Sequence, residues 1–185
     1  MAVKKKDSGV ITKVCYPKIA VFAGSFDPFT LGHLDLVKRA SALFDQVWVL
    51  VAVNASKKYL FSEDGRGQMI QSAVEDLPNV GVAAYDGLTV DFMKAVGSKF
   101  LVRGVRNAMD MDYEQSNAWN NKVLHPDCET VFLSSAPEHL AVSSTVVREL
   151  LKCNILETEG GKEKLLKYVP ASVLPMMIKE FEKLK

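Results

Sequence analysis

Short apolar runs alternate with amphipathic segments along most of the chain, and the runs have the length and composition of β-strands. Residues 47–53 (VWVLVAV) are apolar almost without interruption, as in a strand that is covered on both faces. Residues 80–84 give a weaker signal. The pattern predicts strands at 19–23, 47–53, 80–84, 100–102 and 130–133.

The segments between these runs have the spacing of helices. Leu34, Val37 and Phe44 fall on one helical face, and Pro78, Gly97 and Pro126 are typical helix terminators. Helices are predicted at 34–44, 68–77, 90–96, 113–124, 143–151 and 172–184.

Strands that alternate with helices predict right-handed crossovers and a parallel sheet, because parallel neighbours cannot be joined by tight hairpins. A chain of 185 residues suits one domain. We therefore expect an α/β fold: a single Rossmann-like domain with a doubly wound, five-stranded parallel sheet and helices on both faces. Residues 1–17 are predicted to be a flexible basic extension, and 18–185 the domain, with its C-terminal helices from about 143.

Composition narrows the possible partners and the compartment. The net charge of +1 provides no general attraction to nucleic acid or to an acidic membrane. Cys15, Cys128 and Cys153 form no Cys-x-x-Cys pair, so neither a disulfide framework nor a zinc site is expected. Residues 4–6 (KKK) are not followed by a long apolar run, and no stretch approaches a membrane span. These features predict a cytoplasmic protein without a nucleic-acid or membrane partner.

The turn after the first strand, residues 24–33 (GSFDPFTLGH), leads directly into a helix. Its glycines let backbone N–H groups approach an anion, Ser25 offers a hydroxyl, and the helix N-terminus adds unpaired donors. His33 lies in the first helical turn, where the helix dipole disfavours imidazolium, so we expect a neutral N–H donor. The alternative is a solvent-exposed histidine, but the strand–turn–helix context favours a phosphate site.

Cationic residues follow two other strands. Lys57 follows the second strand, where a lysine is either a solvated surface residue or a point charge for phosphate. Arg103 and Arg106 flank a glycine after the fourth strand and can hold phosphate oxygens bidentately. The alternative for both arginines is ion pairing with acidic residues nearby in the sequence, which are Asp110, Asp112 and Glu114.

Two further segments are weaker candidates when each is taken alone. Residues 87–89 (GLT) offer free backbone groups that could hold an extended substrate. Residues 142–148 (VSSTVVR) place hydroxyls at a helix start, which is ordinarily a cap and alternatively a second anion site. All these segments follow predicted strand ends, where ligands bind in such sheets. Many donors without a nucleophile–base pair suit phosphoryl or nucleotidyl transfer.

These motifs resemble those of the bacterial phosphopantetheine adenylyltransferase family within the nucleotidylyltransferase superfamily. Residues 24–33 are similar to its (H/T)xGH element, and 142–148 to its ISSTxxR element. Residues 56–58 (SKK) and 103–106 (RGVR) narrow the resemblance to this branch. The resemblance implies that ATP and 4′-phosphopantetheine react to give dephospho-coenzyme A and pyrophosphate. It also implies Mg²⁺ with ATP and a homohexamer. Apolar residues on the later helices, including Trp119, could form subunit contacts, and core packing explains them equally well.

The resemblance also implies roles for particular residues. His33 would stabilise the transition state, and the catalytic set would be His33, Lys57, Arg106 and Ser144. Phosphopantetheine would bind Ser25, Lys57, Thr89, Arg103 and Glu149. ATP would bind Ser25, Phe26, His33, Gly104, Val105, Arg106, Glu114, His139, Leu140, Ala141, Val142, Ser143, Ser144 and Thr145. No protein-held metal site is expected.

The chain departs from the family pattern in places, and two rival functions stay open. Residues 62–67 (SEDGRG) replace a helix-favouring stretch, and their glycines should loosen a helix start there by about 1 kcal/mol each. Ala23 replaces a common proline, and Thr89 occupies a variable position. One rival is a related transferase that acts on another phosphate monoester, such as nicotinamide mononucleotide or glycerol phosphate. The other is a catalytically silent nucleotide-binding module.

Overall fold

The computed structural model describes residues 3–5, 11–13, 16–53 and 57–184. Seven strands are assigned there: β1 Val3–Lys5, β2 Ile11–Lys13, β3 Ile19–Gly24, β4 Gln46–Ala52, β5 Val80–Tyr85, β6 Phe100–Val105 and β7 Glu129–Ser134. The α-helices are α1 Leu31–Leu43, α2 Glu63–Ala73, α3 Thr89–Ala95, α4 Ala108–Leu124, α5 Ser144–Lys152, α6 Gly161–Leu165 and α7 Val173–Glu182. Single 3-10 turns lie at Pro137–His139 and Ile155–Glu157.

The central sheet has five parallel strands in the order β5-β4-β3-β6-β7, which confirms the predicted fold class. The chain winds outward from β3 through β4 to β5, then returns to place β6 on the other side of β3. Val21 of β3 is therefore in register with Trp48 on one side and Leu101 on the other. The strand order reverses between β3 and β6, and ligands bind such sheets at this point, beyond the carboxyl ends of the strands.

Alternate residues of the strands face two apolar cores. Phe22 and Val49 pack on one face with buried side chains of α1, α2, α5 and α7. Val21 and Leu50 face the opposite side, where they pack with Val90 and Met93 of α3. Helices cover both faces of the sheet, so side chains on both sides of β4 are buried. This explains why the sequence of β4 is apolar almost without interruption.

Helix α1 begins three residues earlier than predicted, and α2 and α4 each begin five residues earlier. Helix α2 starts at Glu63 rather than at residue 68, because the Ser62 hydroxyl accepts a hydrogen bond from the Gly65 N–H at 3.1 Å. The helix therefore includes both glycines that were expected to weaken its start. Helix α4 starts at Ala108 rather than at residue 113, because Asn107 caps it by accepting from the Asp110 N–H at 2.9 Å. In both cases a side-chain cap sets the boundary, while the prediction followed apolar spacing.

The N-terminal region and the cysteines bear on other predictions. Strands β1 and β2 pair antiparallel, separately from the central sheet. The rest of the predicted extension up to residue 15, including Cys15, lies outside the described residues.

Cys128 is buried and Cys153 exposed, and both are free thiols. Within the described ranges, no helix has the length and apolar character that a bilayer crossing requires.

Gly104 lets helix α1 lie close to the sheet beside the switch point. A Cβ atom on Gly104 would come within 2.3 Å of Leu36 Cδ1 on α1. At this distance the buried Leu36 side chain would have to move in a closely packed core. The glycine between the two arginines therefore leaves room for Leu36 of α1 beside the end of β6.

Candidate active site

A cavity of about 490 Å³ opens at the carboxyl ends of β3 and β6, which is a volume typical of small-ligand sites. Its walls come from the 24–33 turn, the end of β6, the first part of α4 and the start of α5. Twelve residues predicted for the site line it: Ser25, Phe26, His33, Arg103, Gly104, Arg106, Glu114, His139, Val142, Ser143, Ser144 and Thr145. Residues scattered over most of the chain therefore meet in one cavity.

Asp27 ties the turn to the segment that follows β4. Its carboxylate is buried and accepts hydrogen bonds from the N–H groups of Leu60 and Phe61, both at 2.9 Å. Hydrogen bonds to a charged acceptor of this kind are stronger than neutral ones. Asp27 therefore has a structural role, as an anchor beneath the cavity.

Helix α5 holds the same turn from the other side. The Ser144 hydroxyl donates to the Pro28 carbonyl oxygen at 2.8 Å, and Arg148 Nη1 donates to the Asp27 carbonyl oxygen at 2.6 Å. The Ser143 hydroxyl accepts a hydrogen bond from the Val146 N–H at 3.2 Å. Ser143 is therefore the N-cap of α5, which is the usual role of a serine at a helix start. The 142–148 motif thus holds the 24–33 turn in place. The first turn of helix α5, which belongs to this motif, also lines the cavity.

His33 is held in one tautomer by a capping box at the start of α1. The Thr30 N–H donates to His33 Nδ1 at 3.1 Å, and the Thr30 hydroxyl oxygen accepts from the His33 N–H at 3.5 Å. Since Nδ1 accepts, the ring proton of the neutral imidazole is on Nε2. Burial, with smaller contributions from the charges of Arg106 and Arg103, lowers the pKa of His33 to about 4. His33 is therefore a neutral N–H donor, as predicted.

Arg103 is fixed by a nearly buried carboxylate. Its Nε and Nη2 donate to the two oxygens of Glu114 at 2.7 and 2.6 Å, and Nη1 donates to the Ala23 carbonyl oxygen. Arg103 thus joins β6 to α4 and to the end of β3. The ion pairing weighed as an alternative is present, and it holds the guanidinium at the cavity wall.

Arg106 is more exposed than Arg103, and its acidic partner lies closer to it along the chain. Its Nε donates to Asp110 Oδ2 at 2.9 Å, four residues further along the chain. The hydrogen bond to Arg106 lowers the pKa of Asp110. The two Nη groups of Arg106 are not used in this pair, so they are the part of the guanidinium that can meet a ligand.

Six residues predicted for the site do not line this cavity. Lys57 and Thr89 follow β4 and β5, at the same edge of the sheet but on the side of β3 away from β6. Glu149 is exposed on α5 and pairs with Lys152 Nζ at 3.3 Å. Val105 is buried in β6, and Leu140 and Ala141 are exposed on the loop before α5.

The sequence analysis did not identify four residues that hold the 24–33 turn in place around the cavity. They are Asp27, Thr30, Arg66 and Arg148. Thr30 lies three residues before His33, and that spacing of a capping residue could have revealed it. Asp27 and Arg148 lie inside motifs already singled out. Arg66 carries no local signal, because its place in the structure depends on packing between α2 and the turn.

The donor set suits a metal that arrives with a polyphosphate. Among the residues that the structure describes, no group of three His, Cys, Asp or Glu side chains could hold a metal ion. The cavity carboxylates of Glu114 and Asp110 already pair with arginines. Mg²⁺ commonly keeps several waters and binds substrate phosphates, and the residues present fit that mode.

The arrangement can hold phosphate groups and stabilise charge that develops on them. A neutral imidazole N–H, two guanidinium groups, hydroxyls and a helix N-terminus surround one cavity. His33 Nδ1 is occupied by Thr30, so the imidazole is not arranged as a base for a serine of the cavity. Transfer between phosphates, in which positioning and electrostatics supply most of the rate, matches this chemistry.

Comparisons with known proteins agree with this conclusion. A family model described as cytidylyltransferase-like matches residues 21–150. The phosphopantetheine adenylyltransferase of Limosilactobacillus reuteri (strain DSM 20016) is 46% identical over 156 residues, covering 84% of this chain and 86% of that protein. The protein of the same name from Lachnoclostridium phytofermentans is 39% identical over 164 residues, covering 89% and 96%. The solved structure of Plasmodium falciparum nicotinic acid mononucleotide adenylyltransferase complexed with NaAD has a TM-score of 0.65 at 15% identity, and covers 89% of this chain and 96% of that one.

The structural likeness at 15% identity shows the fold alone, and the family model adds the class. The fold, the cavity at the switch point and the match over 21–150 define a nucleotidyltransferase of the cytidylyltransferase-like group. Within that group, the chain belongs to the phosphopantetheine adenylyltransferase family. The resemblance inferred from its motifs is thereby confirmed.

Proposed function

We propose that this enzyme transfers AMP from ATP to 4′-phosphopantetheine and releases dephospho-coenzyme A and pyrophosphate. One observation carries the proposal most directly: a neutral, tautomer-fixed His33 lies with Arg103 and Arg106 in a cavity at the switch point. A neutral donor and permanent cations suit a reaction between a nucleoside triphosphate and a phosphate monoester, which repel each other. Membership of the family supports the choice of acceptor.

The reaction needs no covalent enzyme intermediate. A phosphate monoester has a second pKa of about 6 and is mostly dianionic at neutral pH, so its oxygen is already a nucleophile. That oxygen forms a bond to the α-phosphorus of ATP, and the bond from this phosphorus to the bridging oxygen breaks. The electron pair leaves with pyrophosphate, so the protein must hold two mutually repelling anions in line.

The residues of the cavity divide into two proposed roles. His33 donates Nε2–H to the α-phosphate, where charge increases in the transition state. Arg106 contacts the departing pyrophosphate through its Nη groups, and Ser144 completes the catalytic set together with Lys57. The proposed ATP contacts are Ser25, Phe26, His33, 104–106, Glu114 and 139–145, most of which line the cavity.

The acceptor would lie between the cavity and the carboxyl ends of β4 and β5. Arg103 and Ser25 line the cavity, whereas Lys57 is exposed beyond β4 and Thr89 begins α3 beyond β5. A flexible lysine can reach a phosphate as a point charge from outside the cavity wall. Glu149, which is paired with Lys152, is the weakest of the proposed acceptor contacts.

Mg²⁺ is proposed to accompany ATP and would neutralise part of the phosphate charge when bound. The carboxylates nearest the phosphates, Asp110 and Glu114, hold Arg106 and Arg103 in the structure. The metal would therefore be bound chiefly through the nucleotide. A cytoplasmic location is part of the same proposal and is supported by the substrates it requires.

A homohexamer is the proposed assembly, and the exposed side of α4 supports self-association. Met109, Tyr113, Trp119 and Val123 are between 67% and 82% exposed on that helix. Large apolar groups that are clustered on one surface usually mark an interaction site. Light scattering coupled to gel filtration tests the assembly: a hexameric mass is expected, and Trp119→Lys should lower it, whereas a monomeric wild-type protein contradicts this part of the proposal.

The activity itself is tested by pyrophosphate release from ATP, with and without Mg²⁺. Turnover with 4′-phosphopantetheine is expected to exceed that with nicotinamide mononucleotide or glycerol phosphate, and ATP should be preferred to CTP. Faster turnover with another acceptor would support the related-transferase alternative. Binding of ATP without turnover on any acceptor would support the silent nucleotide-binding module.

A further inference from the structure

Arg66 is a buried cation that the chemistry described so far does not use. Its residue is 1% exposed on α2, and Nη1 donates to the Ser25 carbonyl oxygen at 2.6 Å. The guanidinium carbon lies 4.1 Å from the centroid of the Tyr59 ring. Within the described ranges Arg66 forms no ion pair with a carboxylate, and its Nε has no hydrogen-bond partner.

Burial of a guanidinium without an acidic partner is costly, because the charge stays while its hydration is lost. The contact with Tyr59 offsets part of this cost. A residue kept in so unfavourable a setting is expected to have a role that a smaller or apolar side chain could not fill. Within the described residues, the one hydrogen bond that the Arg66 side chain makes ends on the backbone of the 24–33 turn.

The Ser25 carbonyl that Arg66 holds is coupled to a strained residue. Phe26 has a φ of 48°, in the left-handed region that costs a non-glycine residue about 1–2 kcal/mol. Rotation of the peptide between Ser25 and Phe26 by about half a turn would move this φ into the broad negative region. The same rotation leaves both side chains in place and turns the Ser25 carbonyl away from Arg66.

The direction of that carbonyl matters for the cavity. Ser25 lines the cavity and is exposed to it, whereas Arg66 is buried and does not line it. In the observed conformation the carbonyl oxygen therefore points toward Arg66 and away from the cavity where a phosphate would bind. In the rotated conformation the carbonyl oxygen would face them, and its partial negative charge would repel an anion.

We propose that Arg66 is a positioning residue for the anion-binding turn: it holds the Ser25–Phe26 peptide in its strained orientation, so that the turn presents donors rather than a carbonyl to phosphate. The link to catalysis rests on the proposed function. The link to anion binding does not depend on which acceptor the enzyme uses. Arg66 acts through the backbone and touches no substrate.

The test combines a crystal structure with a binding measurement. In Arg66→Met the Phe26 φ should become negative and the Ser25 carbonyl should turn toward the cavity. Calorimetry with inorganic pyrophosphate should show binding about tenfold weaker than in the wild type, the size expected when a charged hydrogen bond is lost. Met69→Ala is the matched control, because Met69 is also buried on α2 and does not line the cavity.

Both variants are expected to melt at lower temperature, but only Arg66→Met should lose pyrophosphate affinity. Should Arg66→Met not fold, Arg66→Lys, which keeps the charge and one donor, is measured in the same way and should weaken binding by a smaller factor. A Phe26 φ that stays in the left-handed region, or an affinity equal to that of Met69→Ala, overturns the proposal. These readouts need no acceptor substrate, so failure of wild-type turnover with 4′-phosphopantetheine would be recognised separately.

Discussion

Two neighbouring parts of the sheet's carboxyl edge are built in different ways. Beyond β3 and β6, Thr30 holds His33 and Glu114 holds Arg103. The protein itself therefore sets the tautomer of His33 and the direction of the Arg103 guanidinium. Beyond β4 and β5, Lys57 is exposed, and α3 begins at Thr89 without a side-chain cap. The first region is organised by the protein's own contacts, while the second offers a flexible charge.

The difference follows from what each part must do in the proposed reaction. Charge develops at the α-phosphate within a small distance, so donors there are effective only when they are already in place. The acceptor must enter, align and leave as a larger product. A solvated ammonium on a long side chain can follow such a ligand, at the cost of less directional binding.

The largest effect is expected from His33 in the organised region. His33→Ala should lower kcat by about 10²–10³, by analogy with the loss of one preorganised donor at a developing charge. Steady-state kinetics measure the change, and circular dichroism checks the fold. His125→Ala removes a histidine that does not line the cavity and should leave kcat unchanged. Equal turnover of His33→Ala and the wild type would exclude His33 from the mechanism.

Acid should weaken the organised region next most strongly. The pKa of His33 is about 4 in the folded protein and 6.5 in its ordinary setting, so between these values the unfolded chain binds the extra proton. The free energy of unfolding should therefore fall by up to about 1.4 kcal/mol for each pH unit as pH drops from 6.5 to 4.

Urea denaturation at several pH values measures this slope. His33→Gln should remove the His33 contribution to it, and the same slope in both proteins would contradict the assignment. Asp110 acts in a different window, because its lowered pKa lets it stabilise the fold down to pH values below 3.8. Above pH 6.5, kcat should not show a titration of His33.

The flexible region should respond chiefly through binding of the acceptor. Lys57→Ala is expected to weaken 4′-phosphopantetheine binding by about tenfold, the loss of one charge-assisted contact, and to change ATP binding less. Calorimetry with each substrate separates the two effects. Lys58→Ala is the control, since Lys58 is an exposed neighbour with the same charge. A larger loss for ATP than for the acceptor would reverse the assignment of Lys57.

The smallest effect concerns the exposed pair at the rim of the organised region. Asp110→Asn removes the charged partner of Arg106, and exposed pairs of this type are worth about 0.2–1 kcal/mol. Pyrophosphate should then bind up to about fivefold more tightly, because the anion no longer competes with Asp110. Asp127→Asn, which removes another exposed pair, should not change the affinity. Weaker binding by Asp110→Asn would show that the carboxylate assists the ligand.

Prediction from sequence succeeded where the signal is local. The apolar runs and terminators were enough for the five strands of the central sheet and for their alternation with helices, and hence for the parallel sheet. The boundaries of α2 and α4 were wrong, because Ser62 and Asn107 cap those helices ahead of the apolar spacing. Twelve of the residues predicted for the site line one cavity, because residues that follow parallel strands lie at the same edge of the sheet.

The amino-acid sequence by itself determined the five strands of the central sheet, their alternation with helices and the donors that follow those strands, whereas β1, β2 and α6 were not predicted. The predicted features follow from side-chain periodicity and from residues a few positions apart. Only the tertiary structure decided that Glu114 holds Arg103, that Arg66 is buried against the Ser25 carbonyl, and that Lys57 lies outside the cavity. Those facts depend on distances between residues far apart along the chain, and such distances are fixed by how helices pack on the sheet rather than by any local pattern.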